Sequence, residues 1–265
     1  MDYNSEFPLD DIREGDAVYI VDYHLPPEIM LELLKITSNV YWIDHHKTAI
    51  EKYKAFPEKI MGLRVDGTAA CVLTYIYFNL ATLEGSGKAF PVTKEMIEET
   101  PYFTRLIGDW DTWKFEYGEE TKRFQTGMLM RDTTPKADVW QRLYEYNERY
   151  DDAHGTIVDE GRVALLFRDQ WAKDYLDHIG FETEFEGHRC FAVNLAHCNS
   201  EYFKSIEDKG YDIYIPFSWN GEDWTVSLYT VKDIDVSEIA KKYGGGGHLS
   251  ASGYVCKELP FSKGG

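Results

Sequence analysis

The sequence predicts an α/β protein: an N-terminal parallel sheet joined by helices to a smaller α+β C-terminal domain. Three patterns predict it. Strand, helix and strand follow one another between Ala17 and Ile43, apolar residues recur at helical spacing from Thr134 to Ile179, and short strands separated by turns fill the chain beyond about residue 181. The expected organisation is a sheet domain over 1–130, a helical connector over 131–180 and a smaller domain over 181–265.

The first run, Ala17-Val18-Tyr19-Ile20-Val21, is apolar and β-branched, the pattern of a strand buried on both faces, and it ends at Asp22. Pro26-Pro27 can open a helix, and Ile29, Met30, Leu33, Leu34 and Ile36 continue it at helical spacing. Val40-Tyr41-Trp42-Ile43 then leads into Asp44-His45-His46. Such a crossover makes the two strands parallel, so Asp22 and Asp44-His45-His46 emerge at one sheet edge, where open α/β sheets bind ligands.

Asp66-Gly67-Thr68 reads as a turn and cap before an apolar, buried helix over 69–80, and Glu84-Gly85-Ser86-Gly87 as a loop. Thr93 caps a helix carrying Met96 and Ile97. Pro101 interrupts it, and Tyr102, Phe103, Leu106 and Ile107 resume the pattern up to Gly108-Asp109-Trp110-Asp111. The helical stretch from Thr134 is expected to break near His154-Gly155 and to close at Gly180. Beyond it, 190–193, 211–215 and 224–229 read as strands, the last after the turn Asn220-Gly221, and 201–207 and 236–243 read as helices. The glycine run 244–247 ends in His248.

Of the 265 residues, 43% are hydrophobic and 15% aromatic, ample for a core, which excludes a disordered chain. With 28 Lys+Arg against 46 Asp+Glu the net charge is −18, which excludes broad electrostatic gripping of a long duplex. The acid excess serves either solubility or the holding of divalent cations near an anionic substrate. Cys71, Cys190, Cys198 and Cys256 form no Cys-x-x-Cys pair, so reduced thiols in a cytoplasmic protein are expected. The residues 1–6 lack the basic start and apolar core of a signal peptide, and no apolar run reaches membrane-spanning length, so no membrane partner is expected.

Adjacent histidines behind an aspartate at a strand end are the strongest chemical signal. Imidazole and carboxylate together suit borderline divalent metals such as manganese, and a carboxylate bonded to one ring nitrogen decides which nitrogen is left for the metal. Asp22, at the neighbouring strand end, is placed to bridge two ions. Asp109 and Asp111 also admit a plain reading as acids at a capped helix end. The glycine run is either a flexible linker or a place of close backbone approach to a phosphate or base. His154, His178, His188 and His197 read as surface or packing residues; His24 differs in lying two residues past Asp22.

In order, Val21-Asp22-Tyr23, Ile43-Asp44-His45-His46, Gly67-Thr68-Ala69-Ala70, Gly108-Asp109, and Gly244 to His248 followed by Ala251 and Gly253 resemble the motifs of DHH phosphoesterases with the DHH-associated C-terminal domain. That superfamily includes RecJ-like exonucleases, oligoribonucleases and cyclic-dinucleotide phosphodiesterases. The resemblance implies that Asp22 bridges two manganese ions, magnesium being the alternative. It implies further that His45 and Asp109 bind one of them, that Asp44 orients the site, and that His46 faces the scissile phosphate, with Asp44 and His46 as the catalytic pair. Gly245, Gly246, Gly247 and His248 would hold the far end of a short single-stranded oligonucleotide or small nucleotide. The family begins with a strand ending in His-x-Asp-x-Asp-Gly, and nothing before Asp22 matches it. The expectation is therefore a chain that starts one strand and one helix late, with a non-catalytic nucleotide-binding or regulatory protein as the rival to a phosphodiesterase.

Overall fold

The protein, described by a computed structural model, is given over residues 6–80, 91–145 and 152–264. The loop expected at Glu84 to Gly87 and the N-terminal residues 1–5 lie outside the described residues. The chain divides into two compact units, 1–162 and 163–265, so the helical stretch expected as a connector is shared between them.

In the first unit β1 (Val18–Val21) and β2 (Val40–Ile43) pair in parallel, with α1 (Pro27–Ile36) between them in sequence. Pro27 sits at the first helical position, where its missing N–H costs nothing. Ile20, Val40 and Trp42 pack with Leu25, Met30 and Leu33, each such side chain contributing about 1.5–3 kcal/mol by leaving water. The other face of β1 differs from the two-sided burial expected: Tyr19 and Val21 are exposed, Tyr19 stacking on Tyr41 with ring centroids 4.7 Å apart. Period-two alternation sends those two side chains to the face opposite Ile20, away from the α1 core.

After α2 (Lys47–Lys52), the segment 61–64 runs beside β2 through bridges Tyr41 to Met61 and Asp44 to Arg64. Arg64 holds it there, donating to the carbonyls of Ile60, Met61 and Trp42. The helix expected over 69–80 is α3 (Ala70–Tyr75), widening into a π turn over Ile76–Leu80. It is buried against Ile43 and Leu63 through Val72, Leu73 and Ile76. Thr93 caps α4 (Lys94–Glu98) by accepting the Met96 N–H, and Pro101 precedes α5 (Tyr102–Asp111).

Helix α6 (Glu119–Leu129) has no counterpart in the sequence reading: its polar residues outnumber its anchors, and Phe124 and Met128 alone carry the pattern into the core. α7 (Asp138–Glu145) follows, and then α8 (Asp152–Ile179), which continues through His154 and Gly155 without the expected break. His154 is buried there, its ring stacked on Phe124 at 5.3 Å and its Nε2 3.1 Å from Glu120, so tertiary packing overrides a weak local signal. A Cβ on Gly161 would fall 1.8 Å from the Arg123 carbonyl, so α6 and α8 approach as closely as backbones allow.

The second unit is a six-stranded sheet of β3 (Phe181–Phe185), β4 (His188–Asn194), β5 (Ile213–Trp219), β6 (Trp224–Tyr229), β7 (Gly246–His248) and β8 (Ala251–Cys256), in the order β3-β4-β5-β6-β8-β7. Only β4 and β5 pair in parallel. Alternate residues of these strands feed two cores. Cys190, Ala192, Ile213 and Ile215 join Val236, Ile239 and Ala240 of α9 (Val236–Lys242), while Phe191, Val193 and Tyr214 join Phe203, Ile206 and Leu176. The expected helix at 201–207 is a 3-10 helix over Ser200–Lys209. All four cysteines are free. Among the described residues no helix is long and apolar enough to cross a membrane.

Candidate metal centre

The parallel register pairs Val21 with Ile43, so the next residues of both strands leave the sheet side by side. Asp22 turns out of the strand at φ +54°, a left-handed conformation that aspartate tolerates better than most residues, and its N–H is held by the Ile43 carbonyl at 3.0 Å. On the other side of β2, Asp44 N–H donates to Leu63 O at 3.0 Å and Asp44 O accepts from Val65 N–H at 3.2 Å. Asp44 is therefore fixed by its backbone before its side chain makes any contact.

That side chain is fully buried. Its Oδ1 accepts the N–H groups of His45 at 2.7 Å and His46 at 3.2 Å, and lies 2.7 Å from His46 Nδ1. With Nδ1 engaged, His46 keeps Nε2 for whatever faces it. The His45 ring is bracketed by carboxylates: its Nε2 lies 3.1 Å from Asp22 Oδ1 and 3.3 Å from Asp111 Oδ2. One ligand atom each from Asp22, His45 and His46 falls within 4.8 Å of the others. Two imidazoles with converging carboxylates form a donor set that fits a borderline divalent cation such as manganese. Magnesium, which prefers oxygen ligands, matches the imidazoles less well.

The electrostatics follow from the same contacts. The hydrogen bond to Asp22 raises the His45 pKa above that of a free histidine, burial opposing and the carboxylates of Asp111, Asp22 and Asp44 assisting. The same bond lowers Asp22. Burial raises Asp111, with His45 as the chief offset. A cation arriving here competes with the proton on His45. Burial lowers His24, whose ring centroid lies 6.2 Å from that of His46.

Asp109, expected as a ligand, makes its hydrogen bonds elsewhere. Its Oδ1 accepts Glu116 N–H at 2.8 Å, and its Oδ2 accepts Tyr117 N–H at 3.2 Å and the Thr121 hydroxyl, which ties the turn after α5 to the start of α6. Asp111, not Asp109, reaches His45. The reason is helical geometry: at about 100° per residue the two aspartates point to opposite sides of α5. The signal was present in the sequence. Residue 109 continues the buried stripe of Tyr102 and Leu106 at i, i+4, i+7, whereas residue 111 leaves it.

In the second unit, the glycine run is a tight hairpin arm. Gly246, Gly247 and His248 pair with Gly253, Ser252 and Ala251 of β8. A Cβ at Gly245 would sit 2.1 Å from the Gly253 carbonyl, and one at Gly247, where φ is +145°, 2.6 Å from Ser252 Cα. Close approach of β7 to β8 thus requires both. Gly246 has open space where its side chain would be, and His248 is exposed.

No family model matches the sequence. Curated relatives include the oligoribonuclease NrnB of Bacillus subtilis, 28% identical over 252 residues. The chain resembles the DHH phosphoesterases. An uncharacterized protein of Acanthamoeba polyphaga mimivirus is 26% identical over 277 residues. These alignments take in 90% and 98% of this chain but 59% and 58% of the two relatives, so the chain spans under three-fifths of their length. Among solved structures, a pGpG-specific phosphodiesterase from Vibrio cholerae aligns over 93% of both chains at 12% identity and a TM-score of 0.45.

Proposed function

We propose that this DHH-like chain is a divalent-metal-dependent phosphoesterase that cleaves phosphodiester bonds in short oligonucleotides or small nucleotides. One observation carries the reading: the ends of β1, β2 and α5 bring Asp22, His45 and Asp111 around a single imidazole nitrogen, with His46 alongside. In this reading Asp22, His45 and Asp111 hold the cation, manganese in preference to magnesium. A bound cation supplies Lewis acidity, drawing charge from the phosphoryl oxygens and making water nucleophilic.

The chain's own residues do the rest. Asp44 engages His46 Nδ1 and so turns Nε2 outward, toward the place a phosphoryl oxygen would take. The buried Asp44 also accepts the backbone N–H groups of both histidines, so the backbone that carries the two rings is fixed before substrate arrives. Gly246 and His248, open and exposed, are the members of the glycine run suited to touching the far end of a substrate. The net charge of −18 supports a short ligand over a long one, and similarity to an oligoribonuclease supports nucleotide chemistry.

The test is manganese-dependent release of mononucleotides from a dinucleotide. His45→Ala and Asp111→Ala are each expected to abolish it, and unchanged turnover in both variants overturns the reading. A second reading, nucleotide binding without hydrolysis, is favoured by a specific fact: among the described residues one cluster of candidate ligands forms, enough for one cation. Calorimetry with dinucleotides beside a product assay separates the two, because multiple turnover excludes the second.

A further inference from the structure

Away from the metal centre, the first unit contains a cavity of about 280 Å³ whose walls include Gly67, Lys94, Arg105, Asp109 and Lys114. Arg105 and Asp109 of α5 and its C-cap Thr112 lie at i, i+4, i+7 on one stripe, and Asp111 lies off that stripe, so the cavity opens on a different side of the helix from the carboxylate that meets His45.

Arg105 is the anomaly. Its Nε is buried, and no described residue accepts a hydrogen bond from it; the guanidinium lies over the Tyr102 ring at 5.1 Å. A guanidinium carries five donors and cannot shed its charge, so burying one of them without an acceptor is costly. The obvious partner is Asp109, one turn further along α5. Its oxygens accept instead from Glu116, Tyr117 and Thr121, and it takes no hydrogen bond from Arg105 Nε. Glu98, also in the wall, faces Lys94 at 3.5 Å. Lys114 reaches in from the turn after α5: a Cβ placed on Gly67 would lie 3.8 Å from its Nζ.

We propose that this cavity is a second ligand site, which binds the phosphate group of a small phosphorylated molecule through Arg105 and Lys114. Three features select phosphate. The guanidinium fork matches two phosphate oxygens at once. The wall sets Lys94, Arg105 and Lys114 beside the carboxylates of Glu98, Asp109 and Glu116; with Glu98 on Lys94 and Asp109 on backbone N–H groups, Arg105 and Lys114 are the cations left to face a phosphate. The volume, just below the usual range for a ligand pocket, suits a phosphate or a mononucleotide. The site needs no metal and stands whether or not the metal-centre reading does.

The experiment is calorimetry on the 265-residue chain in excess EDTA, with inorganic phosphate, adenosine 5′-monophosphate and adenosine as probes. Saturable binding of the two phosphate-bearing probes is expected, at least tenfold weaker in Arg105→Gln, weaker in Lys114→Gln and unchanged in His45→Ala. Equal affinity for phosphate and the nucleotide assigns recognition to the phosphate alone, and tighter nucleotide binding adds the nucleoside to the cavity; both support the site. Absence of saturable binding, adenosine binding as well as its monophosphate, unaltered affinity in Lys114→Gln, or loss in His45→Ala overturns it. Lys114 is exposed, so its variant tests the site even where Arg105→Gln fails to fold.

Discussion

Asp109 and Asp111, two residues apart on one helix, should separate cleanly into stability and metal binding. Asp109→Ala removes the acceptor for Glu116 N–H, Tyr117 N–H and the Thr121 hydroxyl. Hydrogen bonds to a charged group contribute about 1.5–3 kcal/mol each, and donors stripped of their acceptor recover part of that from water, so a net cost of about 3–5 kcal/mol is expected. In a unit of this size that lowers the unfolding midpoint by roughly 6–20 °C. Asp111→Ala removes a carboxylate whose side chain is 39% exposed and which crowds Asp22, so stability should change by no more than about 0.5 kcal/mol. Thermal unfolding followed by circular dichroism in EDTA reads the first effect. Manganese calorimetry well below the lower midpoint reads the second, and there Asp111→Ala should lose at least tenfold in affinity while Asp109→Ala keeps the wild-type value. A folded Asp109→Ala protein that has lost manganese, beside an Asp111→Ala protein that has kept it, would refute the assignment.

Three further outcomes test the framework that carries the site. Asp212 is held below the usual carboxylate range by Lys232 Nζ at 2.6 Å and the Arg189 N–H at 2.9 Å, so its contribution to stability is present above the ordinary aspartate pKa of about 3.9 and disappears as pH falls through the lowered folded value. Acid titrations of wild type and Asp212→Asn should therefore differ in slope in that acidic window, and parallel curves would contradict the linkage. Gly247→Ala places a side chain at φ +145° and against Ser252, and should cost about 1–3 kcal/mol in denaturant unfolding. Gly161→Ala meets the Arg123 carbonyl at 1.8 Å and should destabilise the first unit by more than about 2 kcal/mol, with an unchanged midpoint denying the close α6–α8 approach.

Much of the architecture was legible because it rests on local pattern. The βαβ unit could be read from two short β-branched runs around a Pro-initiated helix, and the Thr93 cap from side-chain chemistry at a helix start. α6 escaped because two aromatic and sulfur anchors among charged residues do not make a periodic signal. The break expected at His154-Gly155 failed because a histidine and a glycine, poor helix residues in isolation, are held in α8 by Phe124, Tyr102 and Glu120.

By itself, the sequence determined that Asp22 and Asp44-His45-His46 share one edge of a parallel sheet, because strand ends in a crossover unit emerge together whatever surrounds them. Only the tertiary structure decided which aspartate of α5 joins them. Asp109 and Asp111 are equivalent as residue types, but the buried stripe of α5 turns Asp109 inward to hold a turn, and the packing of α5 on α3, which itself lies against β1 and β2, leaves Asp111 within 3.3 Å of His45. A carboxylate's role here follows from the direction in which packing aims it.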